Sequence, residues 1–236
     1  MNVDVAYYSS IGGRALNEDS VSVLESGNMM LVLVADGLGG HGGGDAASQC
    51  AVASIGKSLN SKMPSEDALY DSIADANSRI LSMQTDKIQM KSTIAALWLG
   101  GKTAYAANVG DTRIYQFRHE RIVYQSVDHS VAQMAVLVGA LSQEEIRGSR
   151  DRNRLVRALG SESTVKPDIS ELTVQHGDCF LLCSDGFWEL VTEKQMTAKL
   201  ASCKNVTDWL NAMRRVVDEH KKNNMDNNTA AVLKIM

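Results

Sequence analysis

The run Leu31-Val-Leu-Val-Ala-Asp36-Gly37 carries five apolar residues straight into a carboxylate, and Phe180-Leu-Leu-Cys-Ser-Asp185-Gly186 repeats the arrangement far downstream. Short continuous apolar runs of this kind read as buried strands. A carboxylate at the end of such a strand is costly to desolvate unless a cation or a strong donor meets it. The glycine beside each aspartate lets a backbone carbonyl approach the same point. Two strand ends of this composition suggest a shared metal site.

Global properties set bounds on what else the chain can be. Its 236 residues, 44% hydrophobic and 22% charged, suffice for one large core, and a single domain over 1–236 is expected. A net charge of -4 argues against a nucleic-acid or anionic-membrane surface spread over the whole molecule. Any phosphate recognition is therefore local. The N-terminal residues lack the basic start and apolar run of a signal peptide, and no stretch approaches the roughly 20 apolar residues of a membrane helix. A cytoplasmic location with no membrane partner is the expectation. Cys50, Cys179, Cys183 and Cys203 form no C-x-x-C pair. Positions four apart on a strand lie about 13 Å apart, so these are expected to be reduced, mostly buried thiols.

Apolar alternation or continuity predicts strands over 3–8, 21–24, 29–35, 93–99, 103–108, 113–117, 121–124, 169–174, 178–183 and 229–235. Helical spacing predicts helices over 45–59, 66–83, 193–201 and 206–220. Strands that run directly into strands, with tight links such as Leu99-Gly-Gly-Lys102, favour antiparallel pairing over repeated βαβ units. Two helix pairs bracketing blocks of strands suggest packed sheets with helices outside. Residues 128–160, with short helical patterns at 131–138 and 143–147 and then an arginine-rich stretch, read as an insertion lying over a site.

In an antiparallel sheet the start of one strand lies beside the end of its neighbour. Asp226, just before the last strand, is therefore expected level with Asp36 and Asp185, and Asp111 closes another strand end. Such an all-oxygen cluster suits Mg²⁺ or Mn²⁺ better than Zn²⁺, because apart from His41 no His or Cys stands at ligand spacing. Two such cations sharing a carboxylate would acidify a water and aim it at phosphorus. One isolated Asp-Gly is more often a turn or bulge. Four at strand ends argue otherwise. The stretch Gly37-Leu-Gly-Gly-His-Gly-Gly-Gly44 lacks the Gly-Lys-Ser/Thr ending of a nucleotide loop, and reads better as a bend beside metal ligands.

Taken together, Arg14-Ala-Leu-Asn17-Glu18-Asp19, Val34-Ala-Asp36-Gly37-Leu-Gly-Gly-His41, Asn108-Val-Gly-Asp111-Thr-Arg113, Asp128-His-Ser130, Arg157-Ala-Leu-Gly160, Ser184-Asp185-Gly186 and Asp226-Asn227-Asn-Thr229 follow in an ordered set. Over nearly its whole length the chain resembles the metal-dependent serine/threonine phosphatases of the protein phosphatase 2C (PPM) family, in their short bacterial form. The resemblance implies an α+β fold, a four-layer α-β-β-α sandwich of two antiparallel sheets between helix pairs, with 128–160 as a flap. It implies two or three Mn²⁺ or Mg²⁺ ions. Asp36 would bridge two metals, the Gly37 carbonyl would serve one of them, and Asp185 and Asp226 the other. Glu18 and Asp19 would act through metal-bound waters, and Asp111 with Asp185 would hold a third metal. Arg14 matches the family's phosphate-binding arginine, whose planar fork grips two phosphoryl oxygens.

His41 is a candidate general acid or a residue that organises its loop, and it stands four residues beyond Gly37 rather than next to it, as in many eukaryotic relatives. Glu189 replaces an aspartate common in the family, and Thr112 a serine. The stretch 147–157 carries five arginines without interleaved aromatics, which disfavours nucleic acid. Most of these arginines are expected to be solvated, with Arg150 and Arg152 as candidate contacts to an acidic or phosphorylated substrate. The function implied is removal of phosphate from phosphoserine and phosphothreonine in proteins, opposing a bacterial Hanks-type kinase. A catalytically silent phosphoprotein-binding scaffold and a small-phosphoester hydrolase are the alternatives.

Overall fold

The computed structural model describes residues 2–39, 43–60, 62–220 and 222–236. Five strands form one antiparallel sheet: β1 (Val3–Ser10), β11 (Asn228–Ile235), β10 (Cys179–Cys183), β7 (Arg113–Arg118) and β8 (Arg121–Gln125), in that spatial order. A second has β2 (Asp19–Ser26), β3 (Met29–Leu38), β5 (Ile94–Gly100), β6 (Thr103–Val109) and β9 (Asp168–Thr173), with the two-residue β4 (Lys91–Ser92) on the end of β3. Every pairing is antiparallel.

Both faces of the central strands are buried, which is why their sequences are continuous apolar runs. On β3, Met30, Val32 and Val34 enter the core between the sheets, with Leu97, Leu182 and Leu233. Leu31, Leu33 and Ala35 point the other way, into a core shared with α1 (Gly44–Leu59) and α2 (Glu66–Met83). Cys179, Leu181 and Cys183 of β10 likewise face α5 (Glu193–Ser202) and α6 (Val206–Glu219), where Trp209 and Met213 are fully buried. The layers are therefore α-β-β-α.

Local sequence fixes the helix starts. Ser65 and Asn205 accept hydrogen bonds from the third helical N–H of α2 and α6, and Thr192 forms a capping box with Gln195 on α5. Two short elements escaped the periodicity reading: β4, and the single turn α4 (Asp185–Trp188), whose four residues are all buried. Within 128–160 lie α3 (Val131–Leu137) and a 3-10 turn (Glu144–Gly148). The far end of this segment is stitched to the body by reciprocal backbone hydrogen bonds between Ser92 and Leu159. Cys179 and Cys183 are buried and Cys50 and Cys203 half-buried, all four as free thiols. Among the described residues no helix is long and apolar enough to cross a membrane.

Candidate metal centre

The antiparallel registers bring the carboxylates to one end of the sandwich. Asp19 and Asp36 are directly paired across β2 and β3. Cys183 pairs with Ala230 across β10 and β11, so Asp185, just after one strand, lies level with Asp226, just before the other. Asp111 follows β6, the neighbour of β5 in the other sheet. Like charges opposed across a ladder are destabilising, and here the charges of Asp185, Asp19 and Asp111 all act on Asp36.

Each is held by its backbone. The Asp36 N–H donates to Thr93 Oγ1 at 2.8 Å, and its carbonyl accepts from Thr93 N–H at 2.8 Å and Ser92 Oγ at 3.1 Å. Since Ser92 also bonds Leu159, the 128–160 segment is tied to the strand that carries Asp36. At Gly37 an added Cβ would collide with the Gly44 carbonyl, so the close packing of β3 on the start of α1 requires glycine. Gly110 sits at φ 95°, in the left-handed region. Its N–H donates to His129 Nδ1 at 3.1 Å. The Asp111 carbonyl accepts from Trp188 Nε1–H at 2.9 Å.

The side chains carry the electrostatic signature. After burial, the Asp185 carboxylate is the largest cause that raises Asp36. Burial, then neighbouring carboxylates including Asp226 and Asp19, pushes Asp185 up to about 7. Burial first, opposed by hydrogen bonds, leaves Asp19 at about 6. Asp36 and Asp111 are raised well above the usual carboxylate range, again by burial and then by Asp185. Asp19 Oδ2 accepts from Ser184 Oγ at 2.7 Å, while Oδ1 is buried with no hydrogen-bond partner among the described residues. Glu18 is raised by burial and by Asp45, with the Gly44 N–H at the start of α1 opposing the shift.

Arg14, on the loop after β1, donates to Asp226 Oδ2 at 2.8 Å across the rim, with both side chains part-exposed. Asn227 positions that loop, accepting from Glu18 N–H and donating to the carbonyls of Ile11 and Leu16. His41 lies outside the described residues.

These donors fit a hard divalent ion. All are oxygens, the raised pKa values of Asp19, Asp36, Asp111 and Asp185 are what a bound cation reverses, and Asp19 Oδ1 is an orphaned buried acceptor. Among the described residues no three such side chains already converge on a common point, and Asp226 is paired with Arg14. Metal binding must displace the protons that burial favours on these carboxyls and release Asp226.

The arginine stretch differs from the expectation of solvated side chains. Arg147 pairs with Glu193 at 2.8 Å and donates to the Trp188 carbonyl. Arg152 grips Glu189 with bonds of 2.5 and 3.2 Å, Arg154 pairs with Asp151 and Arg157 with Asp168. Arg150 is exposed, with no ion pair among the described residues. Of the two candidate substrate contacts, then, one is already held by an acidic neighbour. The sequence reading also gave no role to the buried pair of Arg113 with Asp128, at 2.9 and 2.6 Å, stacked over Trp188 with 3.5 Å to the ring centre. Its signal was a charged residue opening a strand whose next residues, Ile114 and Tyr115, are buried, which demands a buried partner.

A rim arginine above a set of oxygen donors that repel one another until a cation arrives defines a divalent-metal site open to an anionic ligand. The family model for protein phosphatase 2C matches residues 8–234. The chain belongs to the protein phosphatase 2C family, and with it to the metal-dependent protein serine/threonine phosphatases. It is 32% identical over 205 residues to the serine/threonine phosphatase stp of Listeria monocytogenes, covering 83% of this chain and 81% of that one. It is 32% identical over 193 residues to the serine/threonine protein phosphatase PstP of Mycobacterium tuberculosis, covering 79% of this chain and 36% of that longer protein. The crystal structure of M. tuberculosis PstP/Ppp superposes with a TM-score of 0.86 at 28% identity, over 99% and 98% of the two chains. The PstP catalytic domain in complex with two manganese ions gives 0.83 at 27%, over 98% and 97%. Mn²⁺ or Mg²⁺ is accordingly the cofactor.

Proposed function

We propose that this chain removes phosphate from phosphoserine and phosphothreonine side chains of proteins in the cytoplasm, acting against a serine/threonine kinase. One observation carries the assignment of roles: the buried Asp19 Oδ1 without a partner among the described residues, beside Asp36, Asp111 and Asp185 that burial and one another's charge raise, at a rim where Arg14 reaches Asp226. Asp36, the Gly37 carbonyl, Asp185 and Asp226 hold two divalent cations, and Asp111 with Asp185 a third, while Glu18 and Asp19 act from behind them. Bound there, the cations supply Lewis acidity to phosphoryl oxygens and acidity to a water nucleophile.

The chain's own residues do the rest. Asp36 and Asp185, whose protonated forms burial favours, would release their protons to solvent and present carboxylates to the cations. Arg14 exchanges Asp226 for the substrate, placing its fork on phosphoryl oxygens where charge develops as the seryl or threonyl oxygen leaves. The ladder contacts of Thr93 and Ser92, and the Asn227 clamp, keep these groups in position without reorganisation. A phosphothreonine peptide and an aryl phosphate, each assayed with Mn²⁺, test the substrate class. A higher kcat/KM for the peptide supports the protein-phosphatase reading, and turnover of the aryl phosphate alone would contradict it.

A further inference from the structure

A groove of about 370 Å³ opens beside Arg14 and Asp226 and runs between α4, the end of α6 and the loop ahead of β11. Its lining includes Leu190 and Met225, both half-buried, which give it an apolar floor. The wall is built: Gly13 N–H donates to the Met225 carbonyl at 2.8 Å, and a Cβ on Gly12 or Gly13 would collide with the backbone of 222–226. The loop that carries Arg14 and the loop that lines the groove are therefore packed backbone to backbone.

The charges in the groove sort by partner. Arg14 is paired with Asp226 and Arg152 with Glu189. Lys222 is exposed, with no ion pair among the described residues. His220 Nδ1–H donates to the Val216 carbonyl at 2.8 Å, which leaves Nε2 without a partner among the described residues. On a chain of net charge -4, this groove offers an uncompensated cation and an open imidazole beside an apolar floor.

We propose that the groove binds the polypeptide flanking the phosphorylated residue, and that Lys222, assisted by His220, selects substrates with an acidic side chain there. The inference rests on the phosphatase reading above. Continuity supplies the occupant: the groove shares Arg14 and Asp226 with the site, so a chain whose phosphate lies at Arg14 must continue past this rim. Charge complementarity supplies the preference, and its exposure makes it weaken with salt.

Matched phosphothreonine peptides flanked by glutamates or by lysines, with p-nitrophenyl phosphate as a substrate too short to reach Lys222, test this with Mn²⁺-loaded wild type, Lys222→Gln and Lys222→Glu. Wild type should favour the acidic peptide about fivefold in kcat/KM, as expected for one exposed ion pair of about 1 kcal/mol. Lys222→Gln should abolish that preference and Lys222→Glu reverse it, through KM. Equal kcat/KM for both peptides in wild type, or an unchanged preference in Lys222→Glu, would overturn the proposal while aryl phosphate turnover leaves the phosphatase reading standing. No turnover of any of the three substrates by wild type would overturn both.

Discussion

Replacing Asp185 with Asn should make the metal-free protein more stable at pH 8. Asp185 has an ordinary value of 3.8 and is pushed up to about 7 in the folded chain, by burial first and neighbouring carboxylates second. A carboxyl that binds its proton more tightly when folded adds stability below its unfolded value, and that stability is lost as pH rises through the folded value. Three units at about 1.4 kcal/mol each put the penalty of ionised Asp185 near 4 kcal/mol at pH 8. Asn keeps the size and sheds the charge, but buries an amide in place of a carboxyl, with a loss of about 1 kcal/mol for one imperfectly met polar group. A net gain of about 2–3 kcal/mol remains, roughly 4–10 °C in Tm for a domain of this size. Thermal unfolding in EDTA between pH 4 and pH 8 reads it directly: wild type loses stability from about pH 4 to pH 7, and the variant loses less. Added Mn²⁺ should raise the wild-type Tm and raise that of the variant far less. A variant less stable than wild type in EDTA at pH 8 would refute the reasoning.

Three further outcomes follow from named contacts. Arg14→Ala should lower kcat/KM for a phosphopeptide by about 10- to 100-fold, the worth of a charge-assisted bond, yet move Tm little because its pair with Asp226 is part-exposed; steady-state kinetics beside a melting curve separate the two. His129 is held below its ordinary 6.5 chiefly by burial, so the stability it lends through Gly110 is present above pH 6.5 and lost as pH falls through the folded value. The Tm gap between wild type and His129→Asn should therefore narrow below pH 6.5, and a constant gap would contradict this. Arg113→Met leaves Asp128 buried without its partner and should destabilise by about 3–5 kcal/mol in chemical denaturation; a loss under 1 kcal/mol would show that Asp128 finds another donor.

The strands were legible because both of their faces are buried, so apolar runs such as those of β3 and β10 leave little ambiguity. The placing of Asp36, Asp185 and Asp226 at one end of the sandwich followed from antiparallel geometry, since strand ends and strand starts alternate along a sheet edge. What periodicity missed was short: α4 is a single turn fixed by its burial under Arg113 and Arg147, and β4 is two residues set by contact with β3. Arg150 and Arg154 are exposed as expected, whereas Arg147, Arg152 and Arg157 are held by Glu193, Glu189 and Asp168, which lie on other elements that no local pattern connects to them. The pairing of Arg14 with Asp226 likewise spans 212 residues and is visible only in three dimensions.

In the proposed function these carboxylates hold the cations that drive phosphate release. Phosphate released from a phosphothreonine peptide, followed with Mn²⁺, Mg²⁺ or EDTA for wild type and Asp36→Asn, tests it most directly. Metal-dependent turnover in wild type, abolished by EDTA and lost in Asp36→Asn, is the predicted result. Turnover that survives EDTA, or that Asp36→Asn retains at the wild-type level, would contradict it.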